Sequence, residues 1–126
     1  MIQGIGIDIE LISRIKSSLD RLGNAFIERI FTEEEKNYCT GKGNPPQHFA
    51  ARFAAKEAFA KAIGTGWSGN FRWKDVEVTS DDKGKPNLRL HHEMHEHFAS
   101  SVIHLSLSHT TDYVAAVVVI EQLEKQ

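Results

Sequence analysis

Apolar and polar residues recur along this chain with two different periods, and the changes of period divide it into elements. From Ile2 to Ile9 the residues alternate, with Ile2, Gly4, Gly6 and Asp8 on one side and Ile5, Ile7 and Ile9 on the other. A period of two predicts a strand with one apolar face and an opposite face where two glycines admit a close neighbour. Glu10 to Leu22 changes to helical spacing. Leu11, Ile12, Ile15, Leu19 and Leu22 are apolar, Arg14, Lys16 and Arg21 occupy other faces, and Gly23 stops the helix. Ala25 to Phe31 reads as a short second helix bearing Arg29. Thr32-Glu33-Glu34-Glu35 is a capping box, in which hydroxyl and carboxylate satisfy orphan amides, and its helix runs to about Tyr38 or Cys39.

Beyond the breaker cluster Gly41 to Pro46, the spacing predicts the longest helix, Phe49 to Ile63. At about 100° per residue, Phe49, Phe53, Phe59, Ala60 and Ile63 share an apolar sector. Alanines 50, 51, 54, 55, 58 and 62 cover the opposite side, where another backbone can approach closely. Arg52 and Lys56 fall inside the aromatic sector, which is costly for a cation unless an anion meets it. Glu57 and Lys61 lie one turn apart at the border of the two faces. Alone, such a pair is worth roughly 0.2–0.5 kcal/mol on a surface. Gly64 and Gly66 end the helix.

Phe71 to Thr79 has strand character, Asp81-Asp82-Lys83-Gly84 is a turn, and Asn87 to Leu90 pairs back as a hairpin. His92 to Ala99 reads as a helix. Val102 to Ser108 is a strand. Asp112 to Ile120 is a β-branched, strongly apolar strand suited to the middle of a sheet, and His109-Thr110-Thr111 lies in the link between these last two.

At 126 residues the chain is read as one domain, 1–126, large enough to bury a core without staples. A net charge of −2 argues against nucleic-acid binding. Cys39 stands alone, so no disulfide framework is expected and a reducing compartment fits. The N-terminus lacks the basic and apolar regions of a signal peptide, and no apolar run reaches membrane-spanning length. The expectation is a cytoplasmic domain that does not engage a membrane.

Two carboxylates, Asp8 at a strand end and Glu57 on the long helix, suit a hard cation such as Mg²⁺. That ion takes one or two carboxylates and completes its shell with water and phosphate oxygens. Arg52, Lys56, Lys61 and His109 are then the groups that meet phosphate charge. Other chemistries fit less well. The third glycine of a dinucleotide fingerprint would fall at Ile9, and no Walker lysine follows. In His91 to His97 the zinc pattern fails, since Glu96 stands where a second histidine is required. Ser106 and Ser108 lie near His109 without a nucleophile elbow.

Gly4-Ile5-Gly6-Ile7-Asp8, Arg52-Phe53-Ala54-Ala55-Lys56-Glu57-Ala58 with Lys61 and Gly64-Thr65-Gly66, then Gly84-Lys85-Pro86 and Ser106-Leu107-Ser108-His109-Thr110 with Tyr113 follow one another over nearly the whole chain. In this the sequence resembles the holo-[acyl-carrier-protein] synthases, the short class of 4′-phosphopantetheinyl transferases. The resemblance implies an α+β fold, with a small, mainly antiparallel sheet packed with a long central helix and shorter N-terminal helices. It implies transfer of phosphopantetheine from coenzyme A to a serine of an acyl carrier protein, releasing adenosine 3′,5′-bisphosphate. By the same resemblance Asp8 and Glu57 bind Mg²⁺ and Lys61 neutralises the transferred phosphate. Arg52, Lys56, Gly64, His109 and His48 contact coenzyme A, with His48 standing where relatives often place Arg. Arg14 and Arg21 meet the acidic carrier, and the assembly is a homotrimer with sites between subunits. Glu57 is the candidate general base, with Glu35 second. A non-catalytic module binding coenzyme A or a carrier protein is the alternative.

Overall fold

A computed structural model describes residues 1–64 and 72–123. The elements run β1 (Ile2–Leu11), α1 (Ile12–Leu22), α2 (Asn24–Ile30), α3 (Glu33–Thr40) and α4 (Pro45–Ile63). A 3₁₀ turn (Trp73–Asp75), β2 (Val76–Ser80), β3 (Pro86–Leu90), α5 (His92–His97), β4 (Ser101–His109) and β5 (Tyr113–Gln122) follow. The fold is α+β, as the resemblance implies. Strands β1, β5 and β4 form an antiparallel sheet with β5 in the middle, and β2 pairs with β3 in a separate hairpin.

Three elements start two or more residues away from where the sequence pattern puts them. Helix α4 starts at Pro45, not Phe49, because Pro45 and Pro46 occupy its first turn, where no amide hydrogen is needed. The first helix starts at Ile12, because β1 stays paired as far as Leu11, opposite Tyr113. The strand expected from Phe71 begins only at Val76. Trp73 stacks on Phe53 with ring centroids 5.2 Å apart, and residues 73–75 turn tightly there; Phe71 lies outside the described residues.

Register fixes which side chains share a face. On one face Gly4, Gly6 and Asp8 stand beside Ile120, Val118 and Ala116, which neighbour Ile103, Leu105 and Leu107. This face carries α4. A Cβ on Gly4 would lie 2.2 Å from the Ala62 carbonyl oxygen, and one on Gly6 1.9 Å from that of Ala58. Only glycine permits so close a strand–helix approach. The isoleucines are therefore left outside: Ile5, Ile7 and Ile9 are 64%, 59% and 63% exposed. They form rows with Val119 and His104, Val117 and Ser106, and Ala115 and Ser108.

Candidate functional site

The contacts of Gly4 with Ala62 and of Gly6 with Ala58 carry β1 toward the middle of α4, where Lys61 reaches back from the last turn to Asp8. Lys61 Nζ donates to Asp8 Oδ1 at 2.9 Å and to the Ile7 carbonyl at 3.1 Å. The bond to Asp8 is the chief cause holding the Lys61 ammonium above the usual lysine range. Asp8 is nearly buried, and its Oδ2 has no donor among the described residues. Glu10 continues the same side of the strand. Its carboxyl is pushed up to about 8, first by burial, then by a hydrogen bond shared with Asp8 and by the charges of Asp8 and Glu57. It can serve Asp8 as a donor only while protonated.

Asp8, Glu10 and Glu57 share a cleft of about 580 Å³ with Lys61, Arg14 and Arg21. Asp8 and Glu57, far apart in sequence, thus line one cleft. Both predicted carrier-facing arginines stand at the same opening. Glu10 was missed because the helical reading absorbed it, although the alternation Gly4, Gly6, Asp8 extends to it. The buried Oδ2 of Asp8, with carboxylates of Glu10 and Glu57 lining the same cleft, fits a hard divalent cation. Among the described residues no three His, Cys, Asp or Glu side chains are already gathered as a cage.

Arg52, His48 and His109 lie outside this cleft. The Arg52 guanidinium lies over the Tyr38 ring at 4.0 Å, and its buried Nε has no hydrogen-bond partner among the described residues. His48 is held below the usual imidazole range by burial and then by Arg52, Lys42 and His109. His109 ends β4 beside a groove of about 360 Å³ that also touches Ile9, Thr110 and Tyr113. Gly64 caps α4 in the left-handed region at φ 80°. Thr65 and Gly66 lie outside the described residues.

Two sequence-based roles are corrected. Lys56 does not reach a phosphate site. Its side chain is 0% exposed and its ammonium is 2.9 Å from Glu35 Oε1, with further bonds to the carbonyls of Trp73 and Val76. Glu35, equally buried, is the anion that a cation in an aromatic sector requires, and it is closed to substrate as a base. The histidine stretch is likewise engaged elsewhere: His91 Nε2 lies 3.0 Å from Glu77 Oε1 and His92 Nδ1 2.9 Å from Asp75 Oδ1.

Comparison with known proteins identifies the family. Residues 4–118 match the model of the 4′-phosphopantetheinyl transferase superfamily. The chain is 48% identical over 117 residues to a holo-[acyl-carrier-protein] synthase of Chloroherpeton thalassium, covering 93% of this chain and 96% of the relative. Among solved structures it resembles a holo-(acyl-carrier-protein) synthase from Bacillus anthracis in complex with CoA (3′,5′-ADP). There the TM-score is 0.84 at 43% identity, over 98% of this chain and 99% of that one. It also resembles the Neisseria meningitidis holo-[acyl-carrier-protein] synthase, with TM-score 0.88 at 40% identity, over 97% of this chain and 100% of that one.

Proposed function

This chain belongs to the holo-[acyl-carrier-protein] synthases of the 4′-phosphopantetheinyl transferase superfamily, and from that premise we propose the following reaction. The enzyme moves the 4′-phosphopantetheine group of coenzyme A onto a serine of apo-acyl carrier protein. The serine oxygen bonds to the phosphorus that carries pantetheine, the diphosphate bridge breaks, and adenosine 3′,5′-bisphosphate leaves. The observation that supports this most is the convergence of Asp8, Glu57 and Lys61 on one cleft.

Phosphoryl transfer asks a protein mainly for positioning and for charge around the transferred group. Asp8 and Glu57 are the residues that would hold Mg²⁺, which supplies Lewis-acid neutralisation of the diphosphate. Lys61, 55% exposed at its side chain, is free to swing from Asp8 to a phosphate oxygen. Glu57 takes the serine proton, directly or through one water. Arg14 and Arg21, at the mouth, greet an acidic carrier. Arg52, His48 and His109 bind the nucleotide's phosphates, and Gly64 ends the helix where backbone can approach the ligand.

None of Arg52, His48 and His109 lines the cleft of Asp8 and Glu57. Joining copies of the chain would let one supply the carboxylates and its neighbour the cations. The outward face of the sheet, where Ile5, Ile7 and Ile9 of β1 are exposed, is the surface that fits such a homotrimer. The setting is the cytoplasm, and no described helix is long and apolar enough to cross a membrane.

The test is direct. The chain is incubated with coenzyme A, Mg²⁺ and apo-carrier, the carrier is weighed by mass spectrometry, and the nucleotide is identified by chromatography. A phosphopantetheine adduct with equimolar adenosine 3′,5′-bisphosphate is expected, abolished by EDTA and restored by excess Mg²⁺. Coenzyme A binding without an adduct on any acidic carrier would instead identify a binding module.

A further inference from the structure

Helix α4 meets β1 through alanines and glycines, with backbone against backbone at Ala58 and Ala62. Such a contact fixes separation but offers no protruding ridges to seat in grooves, so it defines the rotation of the helix poorly. The aim of Glu57 into the cleft depends on that rotation. A glutamate at the rim of a helix lies roughly 5–6 Å from the axis, so ~10° of turn moves it by about 1 Å.

The adjoining residue is held from the other side. Lys56 is fully buried, and its ammonium donates to Glu35 Oε1 at 2.9 Å, to the Trp73 carbonyl at 2.9 Å and to the Val76 carbonyl at 2.5 Å. Those three bonds use every hydrogen the group has. Glu35 is equally committed. Its Oε1 also accepts from the Thr32 amide at 2.9 Å, and its Oε2 from the Val78 amide at 2.8 Å. Thr32 Oγ1 donates in turn to Glu77 Oε2, whose other oxygen faces His91. The network joins the α3 cap, the middle of α4, β2 and the start of α5. A buried ion pair is a poor source of stability compared with apolar residues of the same size, and its best-attested use is to fix register. A fully satisfied buried network also favours one arrangement over its neighbours.

We infer that the buried Glu35–Lys56 pair sets the rotational phase of α4, making both residues positioning residues for Glu57. The inference rests on the reading of the Asp8–Glu57 cleft as the transfer site. The glycine–alanine contact sets how far the helix stands from the strand; the ion pair sets which way it faces.

The test removes both charges at once, in Glu35→Gln/Lys56→Met, so that neither is left buried alone. Urea unfolding establishes that the variant is folded at the assay temperature. Steady-state kinetics and Mn²⁺ binding followed by electron paramagnetic resonance then report on the site. A shift of about 1 Å can cost ~10²-fold in rate. We expect kcat and Mn²⁺ affinity each to fall about 10- to 100-fold, with the KM for coenzyme A little changed. Leu105→Ala, a core truncation in β4 outside the network, is the control and should keep both values. A folded double variant with native kcat and Mn²⁺ affinity would overturn the proposal, as would equal losses in the control. Should the double variant not fold, Glu35→Asp, which shortens the pair without removing either charge, is read by the same measures. A native chain that neither transfers the group nor binds Mn²⁺ would sink the site reading and this claim with it. A competent native chain with an unaffected variant would sink this claim alone.

Discussion

Gly6→Ala adds a single methyl group at the most crowded of the described glycines. The new Cβ would lie 1.9 Å from the Ala58 carbonyl oxygen, 2.9 Å from its carbon and 2.7 Å from the Ala62 nitrogen, where real Cβ contacts essentially never fall under 3.0 Å. All three obstacles are backbone, so no side-chain rotamer relieves the overlap. The strand must retreat from α4 by roughly 1 Å, and overpacking of this kind costs about 1–3 kcal/mol. Asp8 is two residues further along the same face and moves with the strand. A displacement of that size between positioned groups costs ~10²-fold in rate. Carrier-adduct formation followed by mass, beside urea unfolding of the same sample, measures both effects. Gly43→Ala is the matched control, because a Cβ there meets nothing within 4 Å, and it should keep native turnover and stability. Ala58→Gly should not rescue Gly6→Ala, since the obstructing oxygen belongs to the main chain. Native stability and native turnover in Gly6→Ala would refute the account of the Gly-x-Gly-x-Asp motif as a distance gauge.

Glu57→Gln should lower turnover by on the order of 10²–10³ while the far-ultraviolet spectrum and unfolding midpoint stay native; near-normal turnover would remove Glu57 from the chemistry. Lys61→Met should lose a similar factor in kcat and also lower urea stability, because it leaves the nearly buried Asp8 carboxylate without its cation; native kcat in the folded variant would remove Lys61 from the chemistry. His48 sits below the ordinary imidazole value through burial and the cations Arg52, Lys42 and His109, so it gains charge only as pH falls below about 6.5. The KM for coenzyme A should therefore drop as pH is lowered through that region, and His48→Gln should flatten the trend. Stability runs the opposite way: with the folded value depressed, the contribution of His48 is present above the unfolded pKa and is lost as pH falls towards the folded one. Ile7→Glu, placed on the exposed sheet face, should convert a trimer to monomers by light scattering and abolish transfer; a native chain that is already monomeric would dispose of the shared-site model.

What was legible in the sequence and what was not divides along a physical line. Periodicity shows which residues share a face, but volume decides which face is buried. In β1 the isoleucines look like the core side, yet the glycine side wins because the alanine surface of α4 lets two backbones touch. The isoleucines are left for another partner. Cations among aromatic rings announce that a buried anion must exist, but they do not say which. Glu35 was concealed because its capping box explained it completely in local terms. One of its oxygens serves both Thr32 and Lys56, so the local and the long-range role coexist in one carboxylate. Glu10 was concealed in the same way, assigned to a helix that in fact begins only at Ile12. A residue with a sufficient local role is thus where sequence reasoning stops searching. In this fold two such residues supply the counter-charge that anchors the long helix and a third acid in the cleft it lines.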